Sequence, residues 1–342
     1  MTRIPCDGNQ PDLAMTTPKI FDARVHVLPD VVSKLVWKSY ERDAWKIRHE
    51  LLAEQSIAFL KARGVARAAG ICYAGQPGIA PFLNDFVAQL ASRHPAFLVP
   101  FGTVHPLDRD CARETVRLLD ELNFAGLKIH CHLLQMAPDD DALAPIFEVV
   151  ADRGKVLNLH SGAVAKNNTQ LDGIRRLCNV ERFRRAMRHT PHLKVIVPHI
   201  GYDEVQEYVD LLDEFPNLHF DTAMAIGGHR VATGEVVPDV RPLRETRYPR
   251  GAHPHLPAPW KPALEQLVPQ ICDRPGRFLY GSDFPLIPYE WDFEIEQLKR
   301  YLPEGVLHKV LWENARALFD GDAPAGASGK SLAAEPTTEP TP

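Results

Sequence analysis

Apolar and polar positions along the chain alternate between two patterns. Short apolar runs rich in β-branched side chains are each followed by stretches with apolar residues three and four apart. The first pattern predicts buried strands and the second predicts helices laid over them. Lys19 to His26 reads as the first strand. Asp43 to Arg63, with Trp45, Ile47, Leu51, Leu52, Ile57 and Leu60 at helical spacing, reads as a helix stopped by Gly64. Ala66 to Tyr73 is a second strand, Pro81 to Arg93 a helix, Ala96 to Val104 a third strand and Asp108 to Leu122 a helix. Gly126 to His130 is a fourth strand, and Asp141 to Asp152 a helix ending near Gly154. Lys155 to His160 is a fifth strand before helical Val180 to Arg188. Leu193 to His199 is a sixth before Asp203 to Phe215. Leu218 to Asp221 is a seventh, and Arg277 to Tyr280 an eighth followed by helices at Trp291 to Tyr301 and Val306 to Phe319.

Eight strand units with helical pattern between them predict a parallel sheet buried on both faces. Eight is also the count that closes an α/β fold of the (β/α)8 TIM-barrel type, with the open doubly wound sheet as the alternative. The barrel explains better why polar residues recur at the C-terminal ends of strands one, four, five, six and eight. Leu279-Tyr280-Gly281-Ser282-Asp283-Phe284-Pro285 is the sharpest case. An apolar run ends there and a proline follows, so Asp283 is expected where a buried strand stops. A carboxylate in that position needs a cation or proton donor to meet it. Taken alone, Asp283 would read as a loop residue capping a turn.

Between strands seven and eight, Thr222 to Pro262 predicts a long loop insertion with Arg241, Arg244, Arg247 and Arg250. Such a loop is either a solvated excursion or a lid, and as a lid its guanidinium groups would suit an anionic substrate. The ends read differently from the body. Residues 1–18 form an expected flexible arm, 19–320 the barrel, and 321–342, rich in Pro, Ala, Ser and Thr, a disordered tail. The net charge of -5 gives no electrostatic case for nucleic acid or an anionic membrane. No apolar run is long enough for a membrane span, and the start has no signal-peptide core. The six cysteines, Cys6, Cys72, Cys111, Cys131, Cys178 and Cys272, form no CxxC pair, so free thiols and a cytoplasmic location are expected.

The strand ends supply Arg24 and His26, Lys128 and His130, His160, His199 and Asp283. Residues two apart on a strand share a face, so Arg24 pairs with His26 and Lys128 with His130. Imidazole and carboxylate are ligands that zinc accepts, and a catalytic zinc keeps one position open for water. His26, His160, His199 and Asp283 could supply such a set. Any one of these histidines alone would more readily be structural; their co-occurrence at strand ends points to chemistry.

The chain resembles the amidohydrolase superfamily, and within it the amidohydrolase-related family that includes aminocarboxymuconate semialdehyde decarboxylase-like proteins. The resemblance spans roughly Ile20 to Phe319. It rests on Asp22-Ala23-Arg24-Val25-His26, Gly126-Leu127-Lys128-Ile129-His130, Leu159-His160-Ser161-Gly162, Pro198-His199-Ile200-Gly201, Gly281-Ser282-Asp283-Phe284-Pro285 and Glu313-Asn314-Ala315. It implies a divalent metal, usually zinc, held by His26, His160 and Asp283. It implies that Asp283 is also the proton shuttle and that His199 polarises substrate or activates water. Arg24, Lys128 and His130 are the expected substrate contacts, and relatives of this kind are often homodimers. The chain departs from the family where the first histidine of a His-x-His pair is Arg24. Guanidinium has no lone pair for a metal, so Arg24 would repel zinc or replace part of its charge. Cys131 stands where the family often has proline, as a soft ligand or a plain buried thiol.

Three functions follow as expectations. The first is a hydrolase of a C–N or C–O bond in a small, carboxylate-bearing molecule, with Asp283 as base and His199 and Lys128 steadying the oxyanion. The second is a non-oxidative decarboxylase of a small unsaturated or aromatic acid. The third is a vestigial barrel that binds without chemistry. The sequence favours the hydrolase, with a small molecule as partner rather than nucleic acid or membrane.

Overall fold

The computed structural model describes residues 18–43, 46–162, 177–201, 204–225 and 263–321. Strands β1 (Ile20–His26), β2 (Val65–Ile71), β3 (Leu98–Gly102), β4 (Gly126–His130), β5 (Val156–His160), β6 (Lys194–Val197), β7 (Leu218–Asp221) and β8 (Phe278–Leu279) follow one another around one sheet. All seven ladders between successive strands are parallel. The segment after β8 then closes the circle against β1. Ala23 N donates to Tyr280 O (2.8 Å), Asp283 N to Arg24 O (3.0 Å) and His26 N to Phe284 O (2.7 Å). Helices between the strands cover the outside, which is the expected TIM barrel.

The strands hold because each is buried on both faces. The outward side chains pack under the helices in one large apolar cluster. Inside, Phe21, Ala69, Val99, Phe101, Val156, Ile196 and Leu279 form a second cluster, the floor of the barrel. Phe319 of the last helix lies 5.3 Å, ring to ring, from both Phe21 of β1 and Phe101 of β3, so it spans that floor. The two-residue period of a strand lifts each row from this floor to the mouth. On β5 the row is Val156, Asn158, His160; on β4 it is Gly126, Lys128, His130. A side chain at Gly126 would lie 1.8 Å from the Val156 carbonyl oxygen, so only glycine lets β4 and β5 approach. β1 has register shifts between Asp22 and Val25, and so sends Phe21 to the floor but Arg24 and His26 to the mouth.

Several sequence expectations shift. Asp30–Asp43 is a helix where no element was expected, and the helix read over Asp43 to Arg63 is confined to Ala53–Ala62. The latter starts late because Gln55 turns back to cap Leu52 N (2.9 Å). Ile47 is buried, yet it lies in irregular chain, so its apolar spacing reports burial without helix. Helix Ala263–Asp273 occupies a stretch with no element expected. The arginine-bearing segment 226–262, residues 1–17 and residues 322–342 lie outside the described residues. Cys72, Cys111, Cys131 and Cys178 are free thiols, as expected, whereas Cys272 is disulfide-bonded. Among the described residues no helix is long and apolar enough to cross a membrane.

Candidate active site

The mouth is organised around a buried guanidinium. Arg24 is 1% exposed. Its Nε donates to Asp283 Oδ1 (2.5 Å), its Nη1 lies 3.4 Å from Asp221 Oδ2, and its Nη2 lies 3.4 Å from His160 Nδ1. His26 Nε2 meets the same Asp283 oxygen at 2.8 Å. Arg24 and His26 therefore share a face, as their spacing on β1 implies, and both converge on the carboxylate at the end of β8. The backbone fixes this meeting. Asp22 Oδ1 accepts from Arg24 N (3.1 Å) and Ser282 N (3.0 Å), tying β1 to the segment that carries Asp283. Asp283 itself has φ 61°, and His199 φ 54°. A left-handed backbone at two non-glycine mouth residues is strain of the sort that collects at functional sites.

β4 and β5 form the opposite wall. Their register pairs Lys128 with Asn158 and His130 with His160. Lys128 Nζ donates to Asn158 Oδ1 (2.7 Å), and the His130 and His160 rings stack at 3.9 Å. His132, on the short turn Cys131–Leu134, stands edge-on to His160. Tyr73 beyond β2 sits between the walls, its ring 5.5 Å from His26 and 5.6 Å from His130. His199 Nδ1 lies 2.7 Å from Ala223 O. A carbonyl only accepts, so this nitrogen carries the proton and Nε2 has the lone pair. The ends of β5 and β6 can approach because Gly162 (φ +107°) and Gly201 (φ +83°) touch; a Cβ on Gly162 would lie 2.3 Å from Gly201 O.

Charge in this dry pocket is distributed unevenly. Burial raises the Asp283 carboxyl, but Arg24 and then His26 outweigh it and hold the group well below its ordinary value. Burial raises Asp221, with Arg24 opposing. Burial and then Arg24 push the Lys128 amine well below its ordinary value. Burial drives His199 down to about 3, with Arg24 adding to the effect. His130 and His160 are lowered first by burial and then by neighbouring cations. Burial thus disfavours charge on His26, His130, His160, His199 and the Lys128 amine, beside one permanent cation and one firmly ionised carboxylate.

The expected ligands His26, His160 and Asp283 are brought together, but around Arg24. Among the described residues, the set whose ligand atoms all lie within 4.8 Å of one another is His130, His132 and His160. Its chemistry fits a divalent ion. His130 Nδ1 is buried with no hydrogen-bond partner among the described residues. His132 Nε2 faces the Gly162 carbonyl at 3.0 Å, which leaves Nδ1 with the lone pair. Three imidazoles are one of the three-ligand protein sets that a catalytic zinc takes. Binding requires the His130–His160 stack to tilt, since parallel ring planes cannot both contain one ion.

His132 and Asp221 are the functional candidates that sequence reasoning passed over. Both carried a signal. His130 and His132 form a His-x-His spacing, and Asp221 ends β7. Of the expected residues, Lys128 is fully buried beside Asn158. Cys131 is a buried thiol beside Cys178.

The profile of the Amidohydrolase family matches residues 22–321. Among curated proteins none matches. Solved structures do. An uncharacterised TIM-barrel protein from Bordetella bronchiseptica is 17% identical, with 88% of this chain and 98% of that one covered and a TM-score of 0.63. The 5-carboxyvanillate decarboxylase of Sphingomonas paucimobilis is 17% identical over 89% of this chain and 99% of that one, with a TM-score of 0.56. A dihydroxybenzoic acid decarboxylase from Polaromonas, solved with bound manganese and the inhibitor 2-nitroresorcinol, is 16% identical over 89% and 97%, with a TM-score of 0.56. At such identities the likeness is one of fold.

Proposed function

Because the chain belongs to the amidohydrolase family, we propose that its mouth performs group-removal chemistry on a small carboxylic acid, as a non-oxidative decarboxylase. The observation that carries this reading is the Arg24–Asp283–His26 cluster. Hydrolysis needs a base able to take a proton from water near neutral pH. Asp283 is held far below that range by Arg24 and His26, and His199 is pushed to about 3. Decarboxylation needs no such base. It needs a cation beside the substrate, an electron sink within the substrate and an acid that protonates the carbon left behind.

The chain offers these parts. Arg24 is a charge that does not titrate. A substrate carboxylate entering beside Asp283 adds a like charge and raises its proton affinity. Asp283 then takes up a proton from solvent and delivers it to carbon as CO2 leaves, so one proton is consumed per turnover. Asp283 is the proton shuttle in this scheme, and His26, whose imidazole burial disfavours charging, orients it through the 2.8 Å contact. His199, with its lone pair on Nε2, accepts from a hydroxyl of the substrate. Lys128 and His130 line the opposite wall. The solved decarboxylases named above act on hydroxylated aromatic acids, and that class, whose ring can hold the electron pair released with CO2, is the proposed substrate.

His130, His132 and His160 are the proposed holders of a divalent ion. When bound there, such an ion supplies Lewis-acid charge to a substrate oxygen. The all-imidazole donor set suits zinc better than manganese, which prefers oxygen ligands. The same cluster supports a second reading, metal-assisted hydrolysis of a C–N or C–O bond.

Product analysis separates the two. Hydroxybenzoic acids labelled with ¹³C at the carboxyl, together with their amide and ester counterparts, are incubated with the enzyme in H₂¹⁸O. Release of labelled CO2 without ¹⁸O in the product is the expected result. Incorporation of ¹⁸O into the product of an amide or ester, with no CO2, would overturn the decarboxylase in favour of the hydrolase.

A further inference from the structure

We propose that the Arg24 guanidinium is a resident cation that fills a divalent-metal position, so that no metal binds between β1, β5, β7 and β8. This inference does not depend on which bond the enzyme breaks. It rests on what encircles the guanidinium. Asp283 at 2.5 Å, Asp221 at 3.4 Å and His160 at 3.4 Å contact it directly, and His26 reaches it through the shared Asp283 oxygen. Two carboxylates and two imidazoles from four different strand ends are a donor set that would hold zinc or manganese. Here they converge on a group that has only N–H donors and no lone pair.

The fold keeps the guanidinium in that place. Arg24 N is bound to Asp22 Oδ1 (3.1 Å), and Arg24 O receives Asp283 N (3.0 Å), so the stem is anchored at both ends of its residue. Gly281 makes the room: a Cβ there would lie 3.0 Å from Asp221 Cβ and 3.1 Å from Arg24 Cβ. An incoming ion would have to take Asp283 Oδ1 from both Arg24 and His26 while lying against a fixed positive charge. The resulting cation is single, untitratable and indifferent to chelators. A metal held by this chain must therefore sit with His130 and His132, sharing only His160 with the ring around Arg24 and not the position the guanidinium fills.

The test is metal stoichiometry after equilibrium dialysis of the full chain against Zn²⁺, and against Co²⁺ with its visible absorption as a second readout. Wild type, D283N, H132A, R24H and R24H/H132A are compared. Wild type is expected to bind at most one equivalent, unchanged in D283N and lost in H132A. R24H is expected to gain one equivalent, which R24H/H132A retains, with a new Co²⁺ absorption band. Loss of the wild-type metal in D283N with retention in H132A would overturn the proposal. So would a folded R24H/H132A protein, judged by circular dichroism, that binds none. If R24H does not fold, D283N and H132A decide alone: metal content that follows His132 and ignores Asp283, or no metal bound by wild type at all, supports the resident cation.

Discussion

Replacing Arg24 by methionine keeps most of the stem and removes the charge. The side chains involved are buried: Arg24 is 2% exposed, Asp221 0% and Asp283 6%. At an effective dielectric constant near 20, the unit charge pair Arg24–Asp283 at 2.5 Å is worth about 7 kcal/mol, while Asp221, raised by burial, adds less. Desolvating the guanidinium offsets much of this, and removal of one partner from a buried pair typically leaves a net loss of about 3–5 kcal/mol. Arg24→Met is therefore expected to destabilise the protein by about that amount at pH 7. The pH dependence gives the cause. In wild type Asp283 stays ionised well below the ordinary carboxylate range, because Arg24 and His26 overcome its burial. Without Arg24 burial prevails, its pKa rises above the unfolded value, and the folded variant binds a proton that wild type does not. The deficit should then narrow as pH falls from 7 to 5, by up to about 1.4 kcal/mol per unit while that proton is being bound. Urea unfolding followed by circular dichroism at both pH values measures it. A variant within about 1 kcal/mol of wild type at pH 7, or one equally destabilised at both, would refute the reasoning.

Other perturbations have defined outcomes. Burial raises Asp22 to about 7, against hydrogen bonds from Ser282 that pull it down. Its folded pKa lies above the unfolded one, so its contribution is full below about pH 4 and is lost as pH rises through 7. Asp22→Asn should flatten that part of the stability profile, removing a change of about 4 kcal/mol; an unchanged slope between pH 4 and 7 would contradict it. His199 is shifted the other way, to about 3, so wild type loses stability as pH falls from its unfolded value of 6.5 towards 3. His199→Asn should lose less over that range in acid unfolding, and an identical acid midpoint would count against the buried neutral imidazole. Gly162→Ala places a Cβ 2.3 Å from Gly201 O at φ +107° and should cost at least about 2 kcal/mol in thermal unfolding, with a variant matching wild type as the contrary result.

The sequence made the barrel legible because its strands are apolar on both faces. β4 and β7 occur over the expected residues, Gly126–His130 and Leu218–Asp221. Helices were harder to read where burial and periodicity part. Helix Asp30–Asp43 exposes Val31 and Leu35, so it lacks a clean apolar stripe, while buried Ile47 mimicked one in irregular chain. The motifs carried more architecture than chemistry. Asp22 ties β1 to the Asp283 segment, Gly162 and Gly201 let β5 and β6 ends touch, and Asn314 Nδ2 donates to the carbonyls of Pro275 (2.6 Å) and Phe278 (2.7 Å) at the start of β8. A linear reading places Arg24, His26 and Asp283 at strand ends, but the bond lengths among them depend on barrel closure. His132 carried only its spacing from His130 as a signal: it belongs to no strand, and the turn after β4 swings it towards His160.

The protonation state of Asp283 is the most direct test of the account. Infrared difference spectra of wild type and Asp283→Asn, recorded across an acid titration, isolate its carboxylate stretch. The account predicts an ionised carboxylate that persists below the usual aspartate range for as long as the fold survives, and a carboxyl band at neutral pH once Arg24 is replaced by Met. A wild-type Asp283 that takes up its proton at or above the ordinary aspartate value would contradict it.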